Sequence, residues 1–358
     1  MRAAIFVERG RDLSLEDVTA LTPGPRDVIV KVLASGVCHS DQAVIDRMPG
    51  GKPMILGHEA CGVVDWVGAE VARVRPGQRV IVALTPVCGK CWFCLRQETH
   101  LCEMGAEVFA RPRAERGDGS VANAMSGVGS FADVMTVDEA SCIPVDTELP
   151  PDQLALIGCG FTTGFGAAIN TANVGPGATV AVIGCGGVGT STIQGARVAG
   201  ASRIIAIDPV PMKRQSAMRF GATDELDPSV EDPVEQVKAL TGGRGVDFAF
   251  EVVGAEQLQM QALQMTRRGG TTVFVGIAGA GKFVLPTFQM AMEDRTVKGS
   301  YYGSARVTRD FPRFIELVET GRVDLGGMVT KHFSLEEVNT ALGAMRDGEV
   351  VRGVLMAS

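Results

Sequence analysis

Residues 179–209 read TVAVIGCGGVGTSTIQGARVAGASRIIAIDP. An apolar run (179–184), a glycine cluster, an amphipathic stretch (190–200) and a second apolar run (203–208) predict strand, tight turn, helix and strand. Gly184, Gly186 and Gly189 form G-x-G-x-x-G, with Gly187 as an extra glycine. Following a strand and opening a helix, such glycines permit a tight turn and let backbone N–H groups approach a pyrophosphate. The helix N-terminus adds roughly half a positive charge. Asp208 ends the second strand, 19 residues after Gly189. A carboxylate there accepts hydrogen bonds from both hydroxyls of an adenosine ribose and repels a 2′-phosphate, so NAD is expected rather than NADP. The plain alternative is a glycine-rich strand-to-helix turn of some other α/β protein.

Outward from this segment the pattern continues. Residues 212–222 predict a helix, and VDFAFEVVG (246–254) and TTVFVGI (271–277) predict strands. Apolar strands alternating with helices argue for a parallel sheet covered on both faces. LPPDQLALIGCGFTTGFGAAINTANV (149–174) reads as helices. Before it, VIVKVLASGV (28–37), CGVVDWVG (61–68) and RPGQRVIVAL (75–84) are Val-rich and bounded by turns, with no long helical period. That half is expected to be an irregular β-rich barrel or sandwich. RPRAERGDGS (111–120) reads as an exposed loop. In the tail, 308–321 and 334–348 read as helices and 350–357 as a strand.

The chain has 358 residues, 46% hydrophobic and 21% charged, enough apolar material for two cores and far from the composition of a disordered chain. A net charge of −7 argues against a nucleic-acid binder. No apolar stretch reaches membrane-spanning length, and the start, MRAAIFVERGRDL, shows no signal peptide, so no membrane partner and a cytoplasmic location are expected.

Four of nine cysteines crowd together: Cys88, Cys91, Cys94 and Cys102, spaced C-x2-C-x2-C-x7-C. Without a secretory signal such crowding reads as metal binding. Four thiolates wrap one tetrahedral zinc with no open position, a structural site. An iron–sulfur cluster is the competing reading. Three further pieces, GVCHSD (36–41), GHE (57–59) and GCG (158–160), supply Cys38, His58 and Cys159. A Cys₂His set leaves one zinc position open for water or substrate. Spacing alone does not join them, and Cys159 and His58 each have a plain reading as core residues. Cys61, Cys142 and Cys185 read as small core residues, and His100 and His332 as structural.

Taken together, GVCHSD, GHE, the four-cysteine loop, CGFTTGFG (159–166), GCGGVG (184–189) and the tail RGVLM (352–356) resemble, in the same order, the zinc-dependent medium-chain alcohol dehydrogenases. The likeness is nearest to the long-loop branch that includes liver-type and thiol-dependent formaldehyde dehydrogenases, and the chain is also similar to bacterial members with tightly held NAD. The resemblance implies a parallel Rossmann sheet domain binding NAD (161–303) and a β-rich, barrel-like (GroES-like) catalytic domain (1–160 and 304–358). It implies two zinc ions per chain, one catalytic on Cys38, His58 and Cys159 and one structural on Cys88, Cys91, Cys94 and Cys102. Glu59 would stand behind the catalytic metal, Asp41 would fix the tautomer of His58, and Ser40 would take the alcohol proton. Thr163 and Val188 would shape the nicotinamide site, Asp208 and Lys213 would hold the adenosine ribose, and His39 and Arg352 would lie near the pyrophosphate. Leu84 and Met125 would line the substrate pocket. One departure concerns the proton's exit, which in many liver-type members ends on a His two residues after the Asp. Here that position is Ala43, leaving water or His39.

The implied reaction is the reversible oxidation of primary or secondary alcohols to aldehydes or ketones, by hydride transfer from a zinc-bound alkoxide to NAD. If zinc lowers an alcohol pKa of about 16 toward about 7, as it does for water, the shift of about nine units is worth roughly 12 kcal/mol. No neutral side chain matches that. The alternatives are a glutathione- or mycothiol-adduct formaldehyde dehydrogenase, in which Arg111, Arg113 and Arg116 would meet an anionic adduct, or a non-catalytic zinc- and NAD-binding protein. A homodimer or homotetramer is expected, with FVLPTFQMAM (283–292) as a possible edge-strand contact.

Overall fold

The computed structural model describes residues 1–277, 279 and 282–357. The chain divides into two compact units, Met1–Cys159 with Arg306–Ser358, and Gly160–Ala305.

In the second unit six parallel strands lie in the order Asp224–Leu226, Arg203–Ile207, Thr179–Ile183, Val246–Glu251, Thr266–Phe274, Thr296–Gly299. Numbered along the chain this is 3-2-1-4-5-6, the doubly wound order in which ligands bind where the strand order reverses. Thr179–Ile183 sits at that reversal, so its C-terminal glycine turn opens onto the crevice. The strands form because Val180, Val182, Ile205, Ala206 and Phe250 are buried on both faces, each large side chain contributing roughly 1.5–3 kcal/mol. Helix Gly160–Gly166, continued by a wider turn over Ala167–Thr171, packs on helix Gly187–Val198. Gly164 makes that approach possible, since a Cβ there would overlap the Val188 carbonyl.

The first unit holds two sheets. Strands Asp27–Gly36, Glu59–Val67 and Arg79–Val82 form the antiparallel centre of one, and Arg352–Met356 pairs with the far edge of Asp27–Gly36. Its inward face carries Val28, Val30, Ala60, Val64, Val80 and Val82.

Two expectations need correction. Residues 111–120 are not an exposed loop: Pro112–Glu115 and Val121–Ala124 form a hairpin, and Arg113 is buried against Asp27 at 2.9 Å. A charged residue is read as exposed from sequence, whereas here a buried counter-charge accommodates it. Residues 283–292 hold no edge strand: Thr287–Met292 is a helix, favoured by the good helix formers Gln289, Met290, Ala291 and Met292. The first half also contains helices, His39–Arg47 and Met104–Ala110, too short to show a clear period.

Candidate active site

The first metal centre is built at the ends of two paired strands. Gly36, the last residue of Asp27–Gly36, lies opposite Glu59, the first of Glu59–Val67. Cys38 and His58 therefore emerge side by side. Gly36 is required there, because a Cβ would overlap the Glu59 carboxylate. Gly57 is required too: its φ is +85°, and a Cβ would press into Phe131 and Ser130. Cys159 arrives at the end of helix Pro151–Ile157, which packs on both strands.

The ligand atoms of Cys38, His58, Glu59 and Cys159 all lie within 4.8 Å of one another, and all four residues are buried. Asp41 ties the framework together. Its carboxylate accepts from the amides of Cys38 and Gly57, each at 3.0 Å, and stands 3.1 Å from His58 Nδ1. With Nδ1 so engaged, His58 Nε2 is buried without a hydrogen-bond partner among the described residues. A buried imidazole nitrogen beside two thiols and a carboxylate fits a metal ligand.

The charges agree. Hydrogen bonding from Cys159, with His58 alongside, holds the Cys38 thiol well below its ordinary range. The reverse of that contact, with burial, pushes Cys159 well up. Two adjacent buried sulfurs cannot both ionise without a cation between them. Burial raises the Glu59 carboxyl to about 7, opposed by the guanidinium of Arg352, which donates to it within a fully buried pair. Ser40 is half-buried, its hydroxyl 3.7 Å from the Cys38 sulfur. His39 is exposed and Leu84 is half-buried. Met125 lies in the apolar core with Phe6, Leu56 and Phe131.

The second centre is the four-cysteine loop. Cys88 Sγ lies 3.9 Å from Cys94 Sγ, and Cys91 Sγ 3.9 Å from Cys102 Sγ. Four sulfurs at zinc–thiolate bond lengths of about 2.3 Å form a tetrahedron with edges of about 3.8 Å. Ligands around an iron–sulfur cluster stand farther apart, because several metal atoms fill the space. Amides of Cys91, Lys90, Cys94 and Cys88 point at these sulfurs, as thiolates require.

In the second unit, Gly184 has φ +96° and a Cβ on Gly189 would overlap the Gly184 carbonyl, so neither tolerates a side chain. A Cβ on Gly186, by contrast, would meet nothing within 4 Å. The backbone there faces open space, and helix Gly187–Val198 has no side-chain cap at its N-terminus. That combination suits an incoming phosphate. The buried Asp208 carboxylate accepts from Cys185 N and Val210 N, each at 2.8 Å, which fixes it beside the turn. Val188, Thr163 and Lys213 are half-buried.

Sequence reasoning missed the Glu59–Arg352 pair, whose partners lie 293 residues apart. It also missed the three-way role of Asp41 and the buried Glu251, whose carboxylate accepts from the amides of Val253 and Gly254 beside the glycine turn. An acid inside the otherwise apolar FAFEVV is the available signal. Arg111, Arg113 and Arg116, the candidate ligands for an anionic adduct, each have an acidic partner, and of the three only Arg113 is itself buried. Arg113 pairs with Asp27, Arg116 with Glu16 at 2.8 Å, and Arg111 with Glu107.

A sequence profile described as "Alcohol dehydrogenase GroES-like domain" matches residues 24–147, and one described as "Zinc-binding dehydrogenase" matches 187–320. The chain is 37% identical to the NDMA-dependent alcohol dehydrogenase of Amycolatopsis methanolica, over 100% of this chain and 99% of that protein. It is 36% identical to an S-(hydroxymethyl)glutathione dehydrogenase of Escherichia coli, over 99% of each. Among solved structures, benzyl alcohol dehydrogenase from Acinetobacter calcoaceticus superposes with a TM-score of 0.91 at 28% identity, covering 100% of this chain and 99% of that one. With both metal-ligand sets and the glycine turn in place, the chain belongs to the zinc-dependent medium-chain alcohol dehydrogenase family.

Proposed function

We propose that the protein oxidises primary or secondary alcohols reversibly to aldehydes or ketones with NAD. Met1–Cys159 and Arg306–Ser358 act as the catalytic unit, and Gly160–Ala305 as the NAD-binding unit. The observation that carries this reading is the buried convergence of Cys38, His58, Glu59 and Cys159 around one imidazole nitrogen.

Cys38, His58 and Cys159 would hold zinc, which would supply the Lewis acidity that favours a deprotonated alcohol. The chain's own residues do the rest. Asp41 fixes His58 with Nδ1 engaged, so that Nε2 faces the metal position. The Ser40 hydroxyl, next to Cys38, accepts the alcohol proton. With Ala43 where a relay histidine is found in relatives, the proton leaves through water or the exposed His39. Glu59, backed by Arg352, places a second carboxylate behind the metal position. The glycine turn and Asp208 hold the dinucleotide, with Thr163 and Val188 at the nicotinamide, Lys213 at the ribose, and His39 and Arg352 at the pyrophosphate.

Leu84 and Met125 shape the pocket, and an aliphatic residue at position 84 favours bulkier or secondary alcohols over ethanol. Six of the nine cysteines stand in the two candidate ligand sets, a usage that suits a reducing cytoplasm. The exposed Val284, Phe288 and Met292 offer an apolar surface for homodimer or homotetramer assembly.

Initial rates across alcohols and aldehydes, with NAD and NADP, test the reading. Turnover of benzyl-type or branched alcohols with NAD is expected, and an ethanol or NADP preference contradicts it. Formaldehyde oxidation that appears only with glutathione or mycothiol selects the thiol-adduct reaction instead.

A further inference from the structure

Asp208 and Asp227 leave equivalent ends of neighbouring parallel strands. Ile207 is in register with Leu226, and each aspartate follows directly. Between them lies Arg214, from helix Pro211–Phe220. Its Nη1 donates to the Asp208 carbonyl at 2.8 Å and the Pro209 carbonyl at 3.0 Å, and pairs with Asp227 Oδ2 at 2.9 Å. The Arg214 side chain is 12% exposed and the Asp227 side chain 24%. Asp227 is itself fixed: its Oδ1 accepts from the Ser229 hydroxyl and from the Ser229 amide at 2.9 Å. Those bonds, with Arg214, hold its carboxyl below the usual range, so it is an anion at neutral pH.

A planar guanidinium beside the ribose-binding carboxylate is the group that would recognise an adenosine 2′-phosphate, because its fork matches phosphate geometry. Here it is turned to main-chain carbonyls and neutralised by a second acid. We propose that Asp227 is a specificity-determining residue: by clamping Arg214 against the main chain beside Asp208, it withholds that cation from a 2′-phosphate. Exclusion of NADP then rests on two carboxylates, one facing the ribose and one disarming the arginine. This inference rests on the reading of Asp208 as the ribose acceptor.

The test is calorimetric titration of the zinc-loaded enzyme with 2′,5′-ADP and 5′-AMP. Asp227→Asn and Asp227→Ser are expected to bind 2′,5′-ADP about tenfold more tightly than the parent, the size of effect one close charge produces near a protein surface. Affinity for 5′-AMP stays within about twofold. Adding Arg214→Ala removes the gain, and Arg214→Ala alone changes neither affinity. Absence of a gain in folded Asp227 variants, or a gain that survives Arg214→Ala, overturns the proposal. So does weaker 2′,5′-ADP binding in Arg214→Ala alone, which needs no Asp227 variant to fold. Asp208→Ser is titrated in parallel with NAD and NADP. An unchanged preference there defeats the reading of Asp208, while the Asp227 and Arg214 variants still decide the clamp.

Discussion

The Asp41 carboxylate stands 3.1 Å from Nδ1 of His58, with both groups buried. The same carboxylate caps the helix that begins after Cys38 and holds the Gly57 amide. One acid thus sets the position of two metal ligands and the orientation of an imidazole. Asp41→Asn keeps the shape but weakens the hold on the tautomer. Zinc affinity at this centre is expected to fall by about 10–100-fold, measured by competition with a chromophoric chelator. Unchanged affinity would show that the helix and turn alone orient His58.

The inward-turned Arg113 makes a stability prediction. Its partner Asp27 is buried with it at 2.9 Å. Arg113→Ala leaves that carboxylate without its closest cation and is expected to cost about 3–5 kcal/mol of unfolding free energy. Denaturant unfolding checks it. A cost below about 1 kcal/mol would mean that Arg111, 3.8 Å from Asp27, takes over.

Three consecutive residues, Tyr302, Gly303 and Ser304, have φ of 52°, 62° and 49°. A Cβ at Gly303 would also press into the carbonyls of Thr162 and Thr163. Gly303→Ala combines left-handed strain with steric overlap and is expected to destabilise by about 1–3 kcal/mol. A melting temperature unchanged from the parent contradicts the packing described for this turn.

The core cysteines differ from the ligand cysteines in reactivity. Burial pushes Cys61 up to about 12 and raises Cys142 and Cys185 further. These three thiols stay neutral at pH 7–8 and are expected not to react with a disulfide reagent in the folded enzyme. The sign for stability follows. Each thiol ionises more easily in the unfolded chain, so its contribution is intact below the ordinary thiol value. It is lost as pH rises from 9.0 toward about 12 for Cys61. Labelling of Cys61 by mass spectrometry at neutral pH would contradict this.

The parallel sheet was legible because its signals are local. Strand, glycine turn, helix and Asp208 lie within thirty-odd residues, and the periods of apolar residues name the elements. The four-cysteine loop was legible for the same reason. The first metal centre was not, on spacing alone: Cys38, His58 and Cys159 meet only because one strand pairing and one helix dock bring them together, and it was the resemblance that joined them. Arg113 reads as surface because hydropathy treats a charge so, and for Arg352 the resemblance points to a pyrophosphate but gives no sign of a buried acid partner. Their burial depends on Asp27 and Glu59, far away in sequence. The helix within 283–292 is not legible because its six residues are too few for a period to declare itself.

The central claim is a zinc ion on Cys38, His58 and Cys159, separate from the one on the four-cysteine loop. Its most direct test is zinc content per chain by mass spectrometry, for the parent and for Cys38→Ser. The expected result is two in the parent and one in the variant, which keeps its fold and its NAD affinity while losing turnover. Two zinc ions in a fully active Cys38→Ser protein would contradict the account.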